Sequence, residues 1–325
     1  MENQESFESR IDLAPLKTGV EKIREQIGKI IVGQQKMVDL IITAILADGH
    51  ILLEGVPGVA KTLASKLVAR CISVDFSRVQ FTPDLMPSDV LGTSVFNLKS
   101  SEFEFKKGPI FSNIVLIDEI NRAPAKTQAA LFEVMEEKQV SVDGTTYRMA
   151  APYMVLATQN PVEQEGTYRL PEAQLDRFLF KIEINYPNLE EETEILLRHA
   201  NRKGDELSQI EPVLNAEEIK AYRQTIHQIL VDEKLLSYIA QIVNHTRNDQ
   251  SIYLGASPRA SLALLNGARA FAAINGRDFV TPDDIKFLAA PVLKHRIQLT
   301  PEKEMEGSSV DEVINQLVAK VEVPR

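Results

Sequence analysis

A single cysteine, Cys71, in 325 residues leaves no internal disulfide to form, so the fold cannot depend on an oxidising compartment. Cys71 lies in the run LVARCISV, which reads as buried helix, and its expected part is that of a small core hydrophobe. No apolar run reaches the roughly 18 residues of a membrane span, and the polar, acidic stretch from Met1 to about Leu16 has no apolar signal core. A cytoplasmic protein is expected. An excess of positive charge is also missing: 36 Lys and Arg stand against 46 Asp and Glu, a formal net charge of -10. That balance argues against broad attraction to a nucleic-acid backbone. Low-complexity segments are absent too. What is there, 44% hydrophobic and 25% charged residues, is ordinary globular usage, and the length suits one larger domain with a smaller one.

Five short apolar runs alternate with helical patterns: Ile51 to Leu53, Ser77 to Phe81, Ile114 to Ile117, Tyr153 to Ala157 and Phe178 to Ile184. The third is apolar on both faces, as an interior strand of a parallel sheet covered by helices on either side must be. Two segments break the rhythm. Asp84 to Ile110, with SEFEFKKG, reads as a loop or hairpin inserted after the second strand, and Gln139 to Met149 reads as a hairpin turning at Asp143-Gly144. Both should project from the sheet. After Tyr186-Pro187 the pattern is helical: about Glu190 to Asn201, a helix from near Asn215, Arg259 to Ile274 closed by Asn275-Gly276, a helix capped by Thr281-Pro282, and a terminal helix with Val310, Val313, Ile314, Leu317 and Val318 on one face. The expected division is a tail over 1–18, an α/β core over 19–187 and a helical domain over 188–325.

The chemistry concentrates at strand ends. HILLEGVPGVAKTLASKLVA is a strand, a glycine-bearing turn and a helix, the context in which backbone N–H groups and a helix N-terminus cradle phosphates. Gly55, Val56, Pro57, Gly58, Val59, Ala60, Lys61, Thr62 and Leu63 form that segment. Lys61 would reach the terminal phosphates of ATP and the Thr62 hydroxyl would bind Mg²⁺; Ala60 stands where the general pattern has glycine. In NIVLIDEINRA, Asp118 and Glu119 close a buried strand on the same rim, so Asp118 can reach the Mg²⁺ and Glu119 can act as general base toward the attacking water. An acidic pair there could also merely cap the next helix. Asn160, ending the fourth strand in ATQNP, could orient the water, or simply form a turn before proline. Arg177, in PEAQLDRF, could offset transition-state charge across a subunit junction, which requires an oligomer; a structural salt bridge is the alternative. Arg259, in SPRA, could bend over the nucleotide from a lid helix, or stand exposed at the helix start.

In order along the chain, IVGQ, GVPGVAKT, VLIDEINRA, LFEVMEE, ATQNP, EGTYRLPEAQLDRF and GASPRA resemble the MoxR family of AAA+ ATPases. The resemblance spans nearly the whole chain. It implies a P-loop αβα core with a five-stranded parallel sheet and a helical lid, and a ring, expected to be a hexamer, with ATP at subunit junctions. Ile31, Val32 and Gly33 would line the adenine pocket, Lys61 and Thr62 form Walker A, and Asp118 and Glu119 form Walker B. Asn160 would be sensor 1, Arg177 the arginine finger and Arg259 sensor 2. Arg169 stands where the family usually has proline, which leaves a second arginine near the expected interface, so Arg169 or Arg122 stays open beside Arg177 as the residue acting in trans. Members are similar to chaperones or maturation factors that work on protein clients with von Willebrand factor A domain partners. Two other functions stay open: an ATP-dependent scaffold with little turnover, and a nucleic-acid motor, against which the acidic balance and the Asp143, Thr145, Thr146 hairpin tip both count.

Overall fold

The computed structural model describes residues 11–56, 60–160, 167–200 and 206–324. By compactness the chain divides into two units, one of residues 22–220 and one of residues 1–21 with 221–325. The first carries a five-stranded sheet of β1 (His50–Gly55), β2 (Phe76–Gln80), β3 (Ile114–Asp118), β4 (Met154–Gln159) and β5 (Phe178–Ile184). Their order is β2-β3-β4-β1-β5, and every pairing is parallel. Each of the five expected strands is therefore present.

Parallel strands expose both faces to covering helices, and the burial follows. All five residues of β3 are buried. On one face Leu52, Val115, Ile117, Val155 and Ala157 pack with Leu131, Phe132, Val134 and Met135 of the Ala125–Glu137 helix. The alternate residues face the other way, where the Gln35–Leu46 and Lys61–Cys71 helices lie against the strands. Cys71 ends the latter helix, fully buried, as its apolar neighbours imply.

Both irregular segments form antiparallel ribbons. Gly92–Asn97 pairs with Glu102–Lys107, and Gln139–Val142 pairs with Thr145–Arg148. At the second turn Asp143 has φ 50° and Gly144 φ 77°, the positive pair that a two-residue turn of this hand needs. The ribbons pack on each other: the Phe105 ring lies 4.7 Å from that of Tyr147, and Ser94 Oγ donates to Asp143 Oδ2 at 2.5 Å.

The second unit is built mainly of helices, among them Glu233–Asn248, Pro258–Ile274, Pro282–Leu293 and Val310–Lys320. The terminal helix buries Val313, Ile314, Leu317 and Val318, the face its spacing marks. One short antiparallel pair, Ile252–Leu254 with Gln298–Leu299, joins the helices. The Pro282–Leu293 helix starts on a capping box between Thr281 and Asp284. Among the described residues no helix is long and apolar enough to cross a membrane.

Candidate active site

All five strands run the same way, so their carboxyl ends share one rim, the place where open parallel sheets bind ligands. β1 ends at Gly55 and leads through Val56 into the phosphate-loop segment; Pro57, Gly58 and Val59 lie outside the described residues. The chain is next described at Ala60, which stands at φ 58°, ψ 20° before the Lys61–Cys71 helix. This left-handed angle explains why the general pattern has glycine there, and an alanine holds it at a cost of about 1–2 kcal/mol. Lys61 Nζ folds back to donate to Gly55 O at 2.7 Å. Burial lowers the Lys61 pKa, and the charges of Asp118, Glu119 and Glu54 partly restore it, so the ammonium lies within electrostatic reach of the acidic pair. Thr62 and Leu63 follow in the first helical turn.

Asp118 is 7% exposed, and both its carboxylate oxygens are held. Oδ1 accepts from Thr158 Oγ1 at 3.1 Å, and Oδ2 accepts from Arg78 Nε at 2.5 Å. Glu119 turns off the strand at φ 57°, ψ 53°. Its N–H donates to Thr158 Oγ1 at 2.9 Å, while its Oε2 accepts from Gln80 Nε2 at 2.7 Å and lies 3.1 Å from Arg122 Nε. Asn160, 8% exposed, follows the last residue of β4 on the same rim.

Three of these partners escape a reading of the sequence. Arg78 and Gln80 are exposed alternate residues of β2, and Thr158 is buried within β4. The signal for the first two is a polar alternation in a strand of an otherwise apolar sheet; Thr158 gives none, because its partners depend on the order β2-β3-β4.

Ile31, Val32 and Gly33 line one cavity of about 500 Å³ with Ile27, Val38, Arg24, Asp39 and Arg198. Gly33 has φ +66°, a left-handed angle that favours glycine, and a Cβ there would displace the Glu191 carboxylate, whose Oε1 it would meet at 2.3 Å. Among the described residues the cavity lining includes none of the phosphate-loop segment. Arg177 is tied within its own chain: Nη1 donates to Phe132 O at 3.1 Å and to Glu136 Oε2 at 2.9 Å. Arg169, by contrast, has 84% of its side chain exposed, beside Glu172. Arg259 stands on the second unit in the first turn of the Pro258–Ile274 helix, its N–H held by the Ser257 cap at 3.1 Å.

This donor set fits a magnesium nucleotide. Mg²⁺ in such sites takes one or two carboxylates plus phosphate oxygens, not a full protein cage. Asp118 supplies a buried carboxylate, Thr62 a hydroxyl in the first helical turn and Lys61 a cation.

Comparison with known proteins agrees. Residues 50–180 match the ATPase family associated with various cellular activities (AAA), and residues 244–317 match the AAA lid domain. The chain is 47% identical over 313 residues to the Bacillus subtilis protein YeaC, covering 96% of each. It is 43% identical over 309 residues to the chaperone MoxR1 of Mycobacterium tuberculosis, covering 92% of this chain and 81% of that one. A crystal structure from Cytophaga hutchinsonii, described as a candidate ATPase, superposes with a TM-score of 0.88 at 43% identity, covering 96% and 97% of the two chains. A buried strand ending in an acidic pair beside a lysine-bearing helix start, with a lid and with relatives of this closeness, places the chain in the MoxR family of AAA+ ATPases.

Proposed function

We propose that this ATPase hydrolyses Mg²⁺-ATP at subunit junctions of a ring, expected to be a hexamer, and uses the cycle in the cytoplasm to remodel, mature or activate protein clients. The observation that carries the reading is that the Lys61 helix start and the Asp118 strand end lie on one rim, with Lys61 within electrostatic reach of Asp118 and Glu119. The resemblance to a protein named chaperone MoxR1 supports client work. A partner with a von Willebrand factor A domain belongs to the same reading. Functionally, we divide the chain into a tail over 1–18, a nucleotide-binding core over 19–187 and a lid over 188–325; the matched regions 50–180 and 244–317 lie on either side of that boundary.

In this reading residues 55–63 hold the phosphates, Ile31, Val32 and Gly33 the adenine, and Thr62 with Asp118 the metal. Mg²⁺, when bound, offsets charge on the terminal phosphates. Lys61 gives up its bond to the Gly55 carbonyl and turns to the terminal phosphate. Glu119 takes the proton of the attacking water and Asn160 orients that water. Gln80 and Arg122 hold the Glu119 carboxylate until then. Arg177 acts in trans once freed from Glu136; the exposed Arg169 is the second choice, and Arg259 senses the nucleotide from the lid.

The assembled protein tests this directly. Glu119→Gln should keep nucleotide affinity and lose turnover by at least about a hundredfold, while Lys61→Ala should lose affinity as well. Equal turnover in wild type and Glu119→Gln would remove the catalytic assignment, and negligible turnover in both would leave the scaffold reading.

A further inference from the structure

One buried hydroxyl touches both halves of the acidic pair. Thr158 is 2% exposed and lies in β4, between β3 and β1. Ile117 pairs with Ala157, so one step along both parallel strands brings Asp118 level with Thr158, their side chains on the same face. Thr158 Oγ1 donates to Asp118 Oδ1 at 3.1 Å and accepts the Glu119 N–H at 2.9 Å. A hydroxyl has one proton and two lone pairs, so it fills both parts without conflict.

Each bond restrains something the chemistry needs. The first fixes one oxygen of the Asp118 carboxylate, opposite the oxygen that Arg78 holds. The second restrains a strained backbone: Glu119 carries a Cβ yet stands at φ 57°, ψ 53°, a conformation that persists only when its surroundings over-determine it. Its carbonyl is held too, accepting the Arg122 N–H at 2.8 Å. A Glu119 relaxed to ordinary angles would aim its carboxylate elsewhere.

We infer that Thr158 is a positioning residue for hydrolysis, its hydroxyl setting the Asp118 carboxylate and the backbone that aims Glu119. The inference rests on the parts proposed above for those two residues. A buried threonine of merely structural value would change stability and leave the split between binding and turnover untouched.

The test compares the full chain as wild type, Thr158→Val, Thr158→Cys, Thr158→Ser and Glu119→Gln. Steady-state ATP turnover is measured, with the affinity for a fluorescent ATP analogue across a Mg²⁺ titration. Thr158→Val, which keeps the shape and removes the hydroxyl, should lower kcat by about 10–100-fold, the usual effect of losing an outer partner of a metal ligand. The analogue's affinity without Mg²⁺ should stay within about twofold, while the Mg²⁺ needed for half-maximal binding rises several-fold. Thr158→Ser should restore kcat to within about threefold of wild type, with Thr158→Cys, a weak donor, between the two. Thr158→Val turnover at the wild-type level beside an inactive Glu119→Gln would overturn the inference alone. So would a Thr158→Ser protein as slow as Thr158→Val. Should the valine variant fail to fold, the cysteine and serine variants carry the comparison, and equal turnover in those two would overturn it. A Glu119→Gln protein that turns over like wild type would overturn the reading beneath it as well.

Discussion

Glu119 carries several constraints at once: a left-handed backbone, an amide tied to Thr158, and a carboxylate shared by Gln80 and Arg122. Such strain collects where a side chain must point in an unusual direction. Lys61, Thr62, Asp118, Glu119 and Asn160 are legible from the sequence because each stands at the end of an apolar run or the start of a helix. Arg78, Gln80 and Thr158 are not, since a strand's neighbours come from sheet order and register, which no local period encodes. Cys71 shows the opposite case, a residue whose environment follows from its neighbours alone. Burial pushes its thiol up to about 11 from an ordinary value of 9.0, with Arg70 and Lys29 pulling weakly the other way. At pH 8 the folded protein should therefore resist alkylation by iodoacetamide and react only as fast as it unfolds. The sign of the pH effect follows: the folded state holds this proton more tightly, so stability is lost as pH rises from about 9 toward 11. Fast alkylation of native protein would contradict the burial.

At the scale of elements, the Asp143-Gly144 turn and the apolar stripe of the terminal helix are local patterns, and both were open to a reader of the sequence. The contact between the two ribbons, through Phe105 and Tyr147, was not, because it joins segments about forty residues apart. In the second unit the start of the Pro282–Leu293 helix concentrates its bonds on Asp284. That carboxylate, 3% exposed, accepts from Thr281 N at 2.8 Å, Thr281 Oγ1 at 2.9 Å, Arg277 Nη1 at 2.7 Å and Arg277 Nη2 at 2.5 Å. Its removal takes away a cap and leaves a part-buried guanidinium without its counter-ion. Asp284→Ala should cost about 2–4 kcal/mol in a denaturant titration. An unchanged midpoint would show that the cap and the pair contribute nothing net.

At the scale of the whole molecule, the five strand ends bring residues far apart in sequence, Lys61, Asp118 and Asn160, to one rim, and the matched lid, residues 244–317, falls within the second unit. The order of motifs along the chain carries this much, because parallel strands joined by helical crossovers must all end on the same side. For the proposed action in trans, Arg177 must leave Glu136 of its own chain, while Arg169 already extends, beside Glu172. The central claim is that a triphosphate with its magnesium lies between the Lys61 helix start and Asp118. A structure of the assembled protein with Mg²⁺ and a non-hydrolysable ATP analogue measures this most directly. The account predicts the terminal phosphate within hydrogen-bonding distance of Lys61 Nζ, and the metal between the Thr62 hydroxyl and the Asp118 carboxylate. Phosphates bound away from that rim, or an Asp118 carboxylate still paired with Arg78 and turned from the metal, would contradict it.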